Sequence, residues 1–325
     1  MNFQLKVLIM SFAISIVFAL VIIPILRRLK VGQIERTDGP QSHLKKQGTP
    51  TMGGLIIALT MVVCSALLYM EYKASEPLVA SRMIPLVFVT LGFGLVGFVD
   101  DFKKLILKNT DGLKPMYKMF GLLLIAVTYT FYLVKYINLG TDTYIPIIKQ
   151  YITLPIWLYI PFAIFVLLGT TNAVNLTDGV DGLSSSVTTI ILTCIVSISI
   201  ILGVKEVTLA GTILIGSCLG FLLFNLHPAK VFMGDTGSLL LGGAISGMAL
   251  YLKMPLILIV IALIPIIETL SVMIQVTFYK KTGKRVFKMA PIHHHFELSG
   301  WKEGKIVSIF SIVTLILCII GINII

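Results

Sequence analysis

Apolar runs of roughly 18 to 24 residues recur along the whole chain, each long enough to cross about 30 Å of hydrocarbon as a helix. Ten such runs lie near 5–26, 51–70, 83–99, 117–136, 155–174, 183–203, 207–225, 238–252, 255–278 and 305–322. The pattern predicts an all-α, multi-pass membrane protein forming one domain over residues 1–325. The 5–26 run exceeds a signal-peptide core and lacks a small-x-small cleavage site before Pro24, so it reads as a retained helix. Pro265 lies inside the ninth run and predicts a bend there.

Composition sharpens this picture. Hydrophobic residues make up 57% of the chain and charged residues 13%, far from what one soluble core requires. The four cysteines, Cys64, Cys194, Cys218 and Cys318, lie inside apolar runs without CxxC spacing, so neither zinc nor a disulfide framework is indicated. The net charge of +11 is unevenly placed: nineteen of the 26 basic residues fall in alternate connections and seven on the other side. The richer side is expected to be cytoplasmic, with both termini outside, which accounts for the charge without nucleic-acid binding.

Most acids share that side. Glu35, Asp38, Asp100, Asp101, Asp111, Asp178, Asp181, Asp235, Glu297 and Glu303 sit in or beside the basic connections; Glu71, Glu76, Asp142 and Glu206 lie opposite. Glu268 is buried in the ninth run, roughly 18 Å along a helix from Lys280. It reads either as a functional intramembrane acid or as a partner for backbone freed at Pro265. An ion-coupled transporter would place its acids near the midplane of repeated halves, and the sequence has no clear internal repeat. Acids gathered at one interface indicate chemistry at that surface.

Three segments concentrate this chemistry. If the helix continues past residue 99, Asp100 and Lys104 share a face while Asp101 points elsewhere. Paired carboxylates beside lysines suit a divalent metal or phosphate, though a solvated helix end has the same composition. Between Thr171 and Gly182, Asn172, Asn175, Asp178 and Asp181 recur every third residue, predicting a polar edge; Gly179 and Gly182 permit close backbone approach to a ligand. The Phe232–Ser238 segment follows Asn225 and His227. Its Asp235 fits an N-cap, and equally a metal-bound diphosphate at a helix start. His227 itself reads as structural.

Two further segments are weaker. Consecutive His293, His294 and His295 cannot share one helix face, so phosphate or sugar contacts suit them better than a three-histidine zinc site. The stretch from His43 to Gly54, with Lys45, Lys46, Gly48, Thr51, Gly53 and Gly54, has the lysines and glycines of a phosphate cradle. Glycines 92, 94, 97, 243 and 247 are explained by helix packing.

Taken in order, Gly48 to Gly54, Asp100 to Lys104, Asn172 to Gly182, Phe232 to Ser238 and Pro291 to Glu297 resemble the bacterial phospho-N-acetylmuramoyl-pentapeptide transferases. The paired aspartates, the Asn-x-x-Asn-x-x-Asp stretch and the Gly-Asp segment are similar to the wider polyprenyl-phosphate N-acetylhexosamine-1-phosphate transferase superfamily. The triple-histidine and Gly-Thr-Pro-Thr-Met-Gly-Gly segments resemble the peptidoglycan branch in particular. The resemblance implies a bacterial plasma-membrane enzyme with its site facing the cytoplasm and Mg2+ as cofactor. It would move phospho-MurNAc-pentapeptide from UDP-MurNAc-pentapeptide to undecaprenyl phosphate, giving lipid I and UMP.

By the same resemblance, Asp235 would ligate Mg2+, Asp100 would act as base toward the lipid phosphate, and Asp101 would support metal or proton placement. Lys104 and Lys118 would contact phosphates. Lys46, Thr51, Asn172, Asn175, Asp178, Gly179, Val180, Asp181, Asn225, Phe232 and Gln275 would border the uridine-diphosphate site or its approaches, and His293, His294 and His295 would face the sugar or diphosphate. The ninth helix would break near Pro265 and open a lipid-facing groove. The resemblance leaves room for a homodimer. A UDP-GlcNAc:undecaprenyl-phosphate GlcNAc-1-phosphate transferase shares the aspartate motifs and carries a different histidine-containing loop.

Overall fold

The computed structural model describes residues 3–29, 46, 48–107 and 112–325. Lys30, Glu35, Arg36, Asp38, His43, Lys45, Gln47, Lys108 and Asp111, which entered the charge pattern or the lysine-glycine stretch, lie outside the described residues.

The chain runs α1 (Phe3–Arg28), α2 (Gly54–Ser75), α3 (Pro77–Leu107), α4 (Pro115–Lys135), a hairpin of β1 (Asp142–Ile145) and β2 (Gln150–Thr153), then α5 (Ile156–Thr177) and α6 (Leu183–Ile201). It continues through α7 (Lys205–Asn225), α8 (Gly234–Tyr251), a 3-10 turn (Pro255–Ile257), α9 (Leu258–Ile261), α10 (Leu263–Thr282), α11 (Ile292–Glu297) and α12 (Glu303–Asn323). Among the described residues, nine of these helices have the length and hydropathy to cross a membrane, so the chain is an all-α multi-pass membrane protein.

Helix α8, the eighth apolar run, is not among the nine. It is short, glycine-rich and polar at its start, and it is walled in by α2, α3, α5 and α6. Thr236 to Tyr251 are all buried, so this helix needs close packing rather than lipid-facing bulk. Its glycines supply that: a Cβ on Gly243 would lie 2.8 Å from Phe93 Cβ, and one on Gly247 2.7 Å from Val89. From the other side, a Cβ on Gly97 of α3 would run into the Asp235 carbonyl. Helices α1 and α7 meet in the same way, with Ser11 and Ser15 against Gly216 and Gly220, and Ser15 donating to the Ser217 carbonyl at 2.8 Å.

Two features depart from the sequence pattern and a third, the break near Pro265, follows it; each has a physical cause. Helix α3 spans 31 residues, about 46 Å, because Leu105 and Leu107 extend its apolar pattern beyond the charged Asp100–Lys104 turn. The site-bearing turns therefore stand past the membrane-length part of the helix. The ninth run breaks at Ala262, where φ is −108° and ψ 26°. Pro265 has no N–H to bond Ile261, the residue at which α9 stops. The connection from residue 136 to 155 contains the hairpin, with Tyr144 paired to Tyr151 across it.

Both termini lie at the hairpin end of the bundle. Phe3 packs edge-on against Tyr72 at 5.6 Å, and the Tyr144 hydroxyl donates to the Ile324 carbonyl at 3.1 Å. The opposite end is where α3 finishes and α8 begins. Gly97→Ala is expected to force α3 from α8 and destabilise the protein by about 1–3 kcal/mol. Gly169→Ala, with nothing within 4 Å of the added carbon, should leave thermal denaturation in detergent unchanged. Equal midpoints for the two variants would refute the close-packing account.

Candidate active site

The site is built where the last turns of α3 meet the first turn of α8. Asp100 and Asp101 are consecutive, so on a helix they point about 100° apart. Asp101 faces α8: Oδ1 accepts from the Asp235 amide at 3.2 Å, and Oδ2 accepts from the Thr236 amide at 2.9 Å and its hydroxyl at 2.7 Å. It is 4% exposed and caps α8 from outside that helix. Asp235 therefore does not cap its own helix, and its carboxylate is free to face Asp100.

Asp100 Oδ2 pairs with Lys104 Nζ at 2.7 Å, the i,i+4 contact expected of a continuing helix, while Oδ1 accepts from the Leu113 amide at 2.6 Å. Asp235 Oδ2 accepts from both Lys104 and Lys118, each at 2.9 Å, and Oδ1 accepts from Asn175 Nδ2 at 2.8 Å. Asn175 also donates to the Ser238 hydroxyl, which ties α5 to α8. Ligand atoms of Asp100, Asp101 and Asp235 all lie within 4.8 Å of one another. Three oxygen donors this close suit a hard divalent cation.

Asp178 lies beside this cluster. Burial, then Asp235 and Asp101, push its carboxyl up to about 8, against a smaller lowering by the Gly234 amide. The metal fit rests on the donors themselves, three carboxylates whose oxygens converge within 4.8 Å. Thr51 completes this corner, its hydroxyl next to Gly234, whose φ of +73° suits a residue without a side chain.

The expected polar edge divides. Helix α5 ends at Thr177, and the chain turns through Gly179 and Gly182 into α6. Asn175 and Asp178 face the aspartate cluster, Asn172 is exposed one turn earlier, and Val180 is buried. Asp181 faces a second polar centre. Lys46 Nζ donates to Asp181 Oδ1 at 2.8 Å and Glu303 Oε2 at 2.6 Å, and His227 Nδ1 lies 3.1 Å from Asp181 Oδ2. Burial works against the Lys46 charge, but its bonds to Asp181 and Glu303 outweigh it and raise the pKa. His227, read from sequence as structural, joins this centre half-exposed, and Glu303 joins it buried. Only the placement of both in the polar connections hinted at it.

The remaining candidates hold backbone. Buried Asn225 accepts from Ser185 at 2.6 Å and donates to the Val231 carbonyl at 3.0 Å. Gln275 accepts from the Val286 and Phe287 amides and donates to the Phe287 carbonyl, all at 3.0 Å. Phe232 is half-buried; its amide bonds Pro50 and its carbonyl bonds Gly53, so Gly53 and Gly54 pack the chain against 231–233. On α11, His293 points inward to Glu268, His294 pairs with Glu297 at 2.7 Å, and His295 Nδ1 accepts from the Lys288 amide at 3.1 Å.

Comparison with known proteins fits this geometry. Residues 83–253, which carry both aspartate segments and the asparagine stretch, match Glycosyl transferase family 4, so the chain is a membrane-embedded transferase of that class. Residues 46–57 match signature 1 of the phospho-N-acetylmuramoyl-pentapeptide-transferases. A protein of that name from Acetivibrio thermocellus is 50% identical over 97% of this chain and 93% of its own length. Namesakes from Clostridium botulinum and Caldicellulosiruptor bescii are 52% and 46% identical, covering 98% and 97% of this chain and 95% of each relative. The chain belongs to the phospho-N-acetylmuramoyl-pentapeptide-transferase family.

Thr236→Val keeps the side-chain shape and removes one of three donors from the buried Asp101 carboxylate. The expected cost is about 1.5–3 kcal/mol in thermal or denaturant unfolding, with Thr236→Ser near native. Equal losses in both variants would show that the hydroxyl bond contributes nothing.

Proposed function

We propose that this protein transfers phospho-MurNAc-pentapeptide from UDP-MurNAc-pentapeptide to undecaprenyl phosphate, releasing UMP and forming lipid I at the cytoplasmic face of a bacterial plasma membrane. The observation that carries the reading is the cluster of Asp100, Asp101 and Asp235 with Lys104 and Lys118, at one end of a membrane-length bundle. The excess of basic residues at that end supports its cytoplasmic orientation.

Two polyanions must approach to bonding distance, so their repulsion has to be screened and the attacking oxygen held in line. Asp235 would hold Mg2+, with oxygens of Asp100 and Asp101 beside it. When bound, that ion would neutralise charge on the diphosphate. Lys104 and Lys118, each with three donors and bonds at present to the same Asp235 oxygen, are placed to turn toward phosphate oxygens. Asp100 would take the proton of the lipid phosphate. One oxygen of that phosphate forms the new bond to the sugar-bearing phosphorus as the bond to the bridging oxygen breaks and UMP leaves. Asp101, its oxygens engaged by α8, acts through position rather than proton transfer. Lys46 and Asp181 supply a donor and an acceptor one turn of chain away, suited to the nucleoside end of the same substrate.

Purified protein in detergent, given UDP-MurNAc-pentapeptide, undecaprenyl phosphate and Mg2+, should release UMP and form lipid product. Asp235→Asn should reduce turnover about a hundredfold or more, and EDTA should abolish it until Mg2+ is restored. Turnover of UDP-GlcNAc in place of the muropeptide would assign the chain to the GlcNAc-phosphate branch instead.

A further inference from the structure

Glu268 and His293 are both 0% exposed, one on α10 within the bundle and the other on α11, which packs back onto α10 and α12. Glu268 Oε2 lies 3.1 Å from His293 Nδ1 and accepts a long bond, 3.4 Å, from the His293 backbone amide. Its side chain thus faces α11 and not the backbone opened at Pro265. Glu268 Oε1 and both ring nitrogens have no hydrogen-bond partner among the described residues. The ring approaches the carboxylate by proximity and stands off the line of an N–H···O bond.

Behind the ring is the loop between the two polar centres. A Cβ on Gly179 would run into His293 Nε2, so only a glycine there lets the ring sit against the loop backbone. That loop carries Asp178 toward Asp235 and Asp181 toward Lys46. A carboxylate sealed in an apolar bundle is costly without a donor or opposite charge, and the imidazole is the group within reach that supplies either. The partner chosen by one ring nitrogen also fixes what the other presents.

We propose that Glu268 is a positioning residue of the transfer site: through His293 it seats α11 against Gly179 and fixes the 178–182 loop that carries Asp178 and Asp181. Its kinetic consequence rests on the transferase reading above; the contact itself rests on geometry. Both residues are buried behind the loop and touch no reacting group. Loosening them shifts Asp178 and Asp181 together, so capture of the nucleotide substrate suffers more than the chemical step.

The test uses the full chain in detergent with Glu268→Gln, which still accepts from the His293 amide but offers the ring no charge. The thermal midpoint should stay near native, KM for UDP-MurNAc-pentapeptide should rise about tenfold, and kcat should change less than about threefold. Gly179→Ala, pushing the ring from the opposite side, should give the same KM-dominated change. In 15N-histidine NMR without substrate, the His293 ring signals, assigned by their loss in His293→Asn, should shift in Glu268→Gln. Unshifted signals would overturn the pairing. A shift with unchanged KM, or a fall in kcat that follows lost thermal stability, would overturn the positioning role. A native chain that makes no lipid product fails the transferase reading alone, and the NMR comparison then still decides the Glu268–His293 pair.

Discussion

The attachment of Asp101 to the first turn of α8 is the constraint on which the site depends. A helix start leaves amides without intrahelical partners, which need acceptors from elsewhere. Asp101 answers the Asp235 and Thr236 amides and the Thr236 hydroxyl with one carboxylate. Gly97, one turn earlier on α3, lets the backbones come close enough for those bonds. Because the next residue back is Asp100, the contact that fixes α8 also sets the second carboxylate against Asp235. Adjacent residues on different faces of one helix thereby make the two contacts.

The charges around that contact are arranged to be rebalanced. Lys104 and Lys118 converge on a single oxygen of Asp235, while its other oxygen is held by Asn175. Burial first, and then the neighbouring Asp235 and Asp101, raise Asp178, and two lysines face the three clustered carboxylates. A cation among the carboxylates and phosphates beside the lysines would satisfy both sets more fully than they satisfy each other. Low exposure strengthens each of these interactions relative to water.

Much of this was legible along the chain because it is local. The apolar runs locate nearly all the long helices, the four-residue step from Asp100 to Lys104 gives their contact, and the asparagine spacing puts Asn175 on a polar face. What periodicity does not carry is partner choice between distant segments. Lys46 finds Glu303 across 257 positions, and Asp101 finds Thr236 across 135. The polar edge read from 172 to 181 runs past a helix that stops at Thr177, and beyond that end Asp181 turns to Lys46 and His227. Gln275 and Asn225 hold nearby backbone, partners that a polar residue near a motif does not announce in sequence. The hairpin went unseen because its strands are four residues each, too short for alternation to stand out from a connection.

The short turn from Asp178 to Gly182 links the two polar centres, which the proposed reaction would use as one site. Asp178 faces the aspartates gathered by α3 and α8; three residues later Asp181 closes on Lys46, His227 and Glu303 from other parts of the chain. A substrate with a diphosphate at one end and a nucleoside at the other needs those two environments at a fixed separation, one anionic and metal-binding, the other able to donate and accept. A turn anchored by a helix end on one side and by Gly182 at φ +77° on the other supplies that separation with little freedom to vary. In the proposed transfer reaction, the side chains behind the turn would bear on substrate geometry through Asp178 and Asp181.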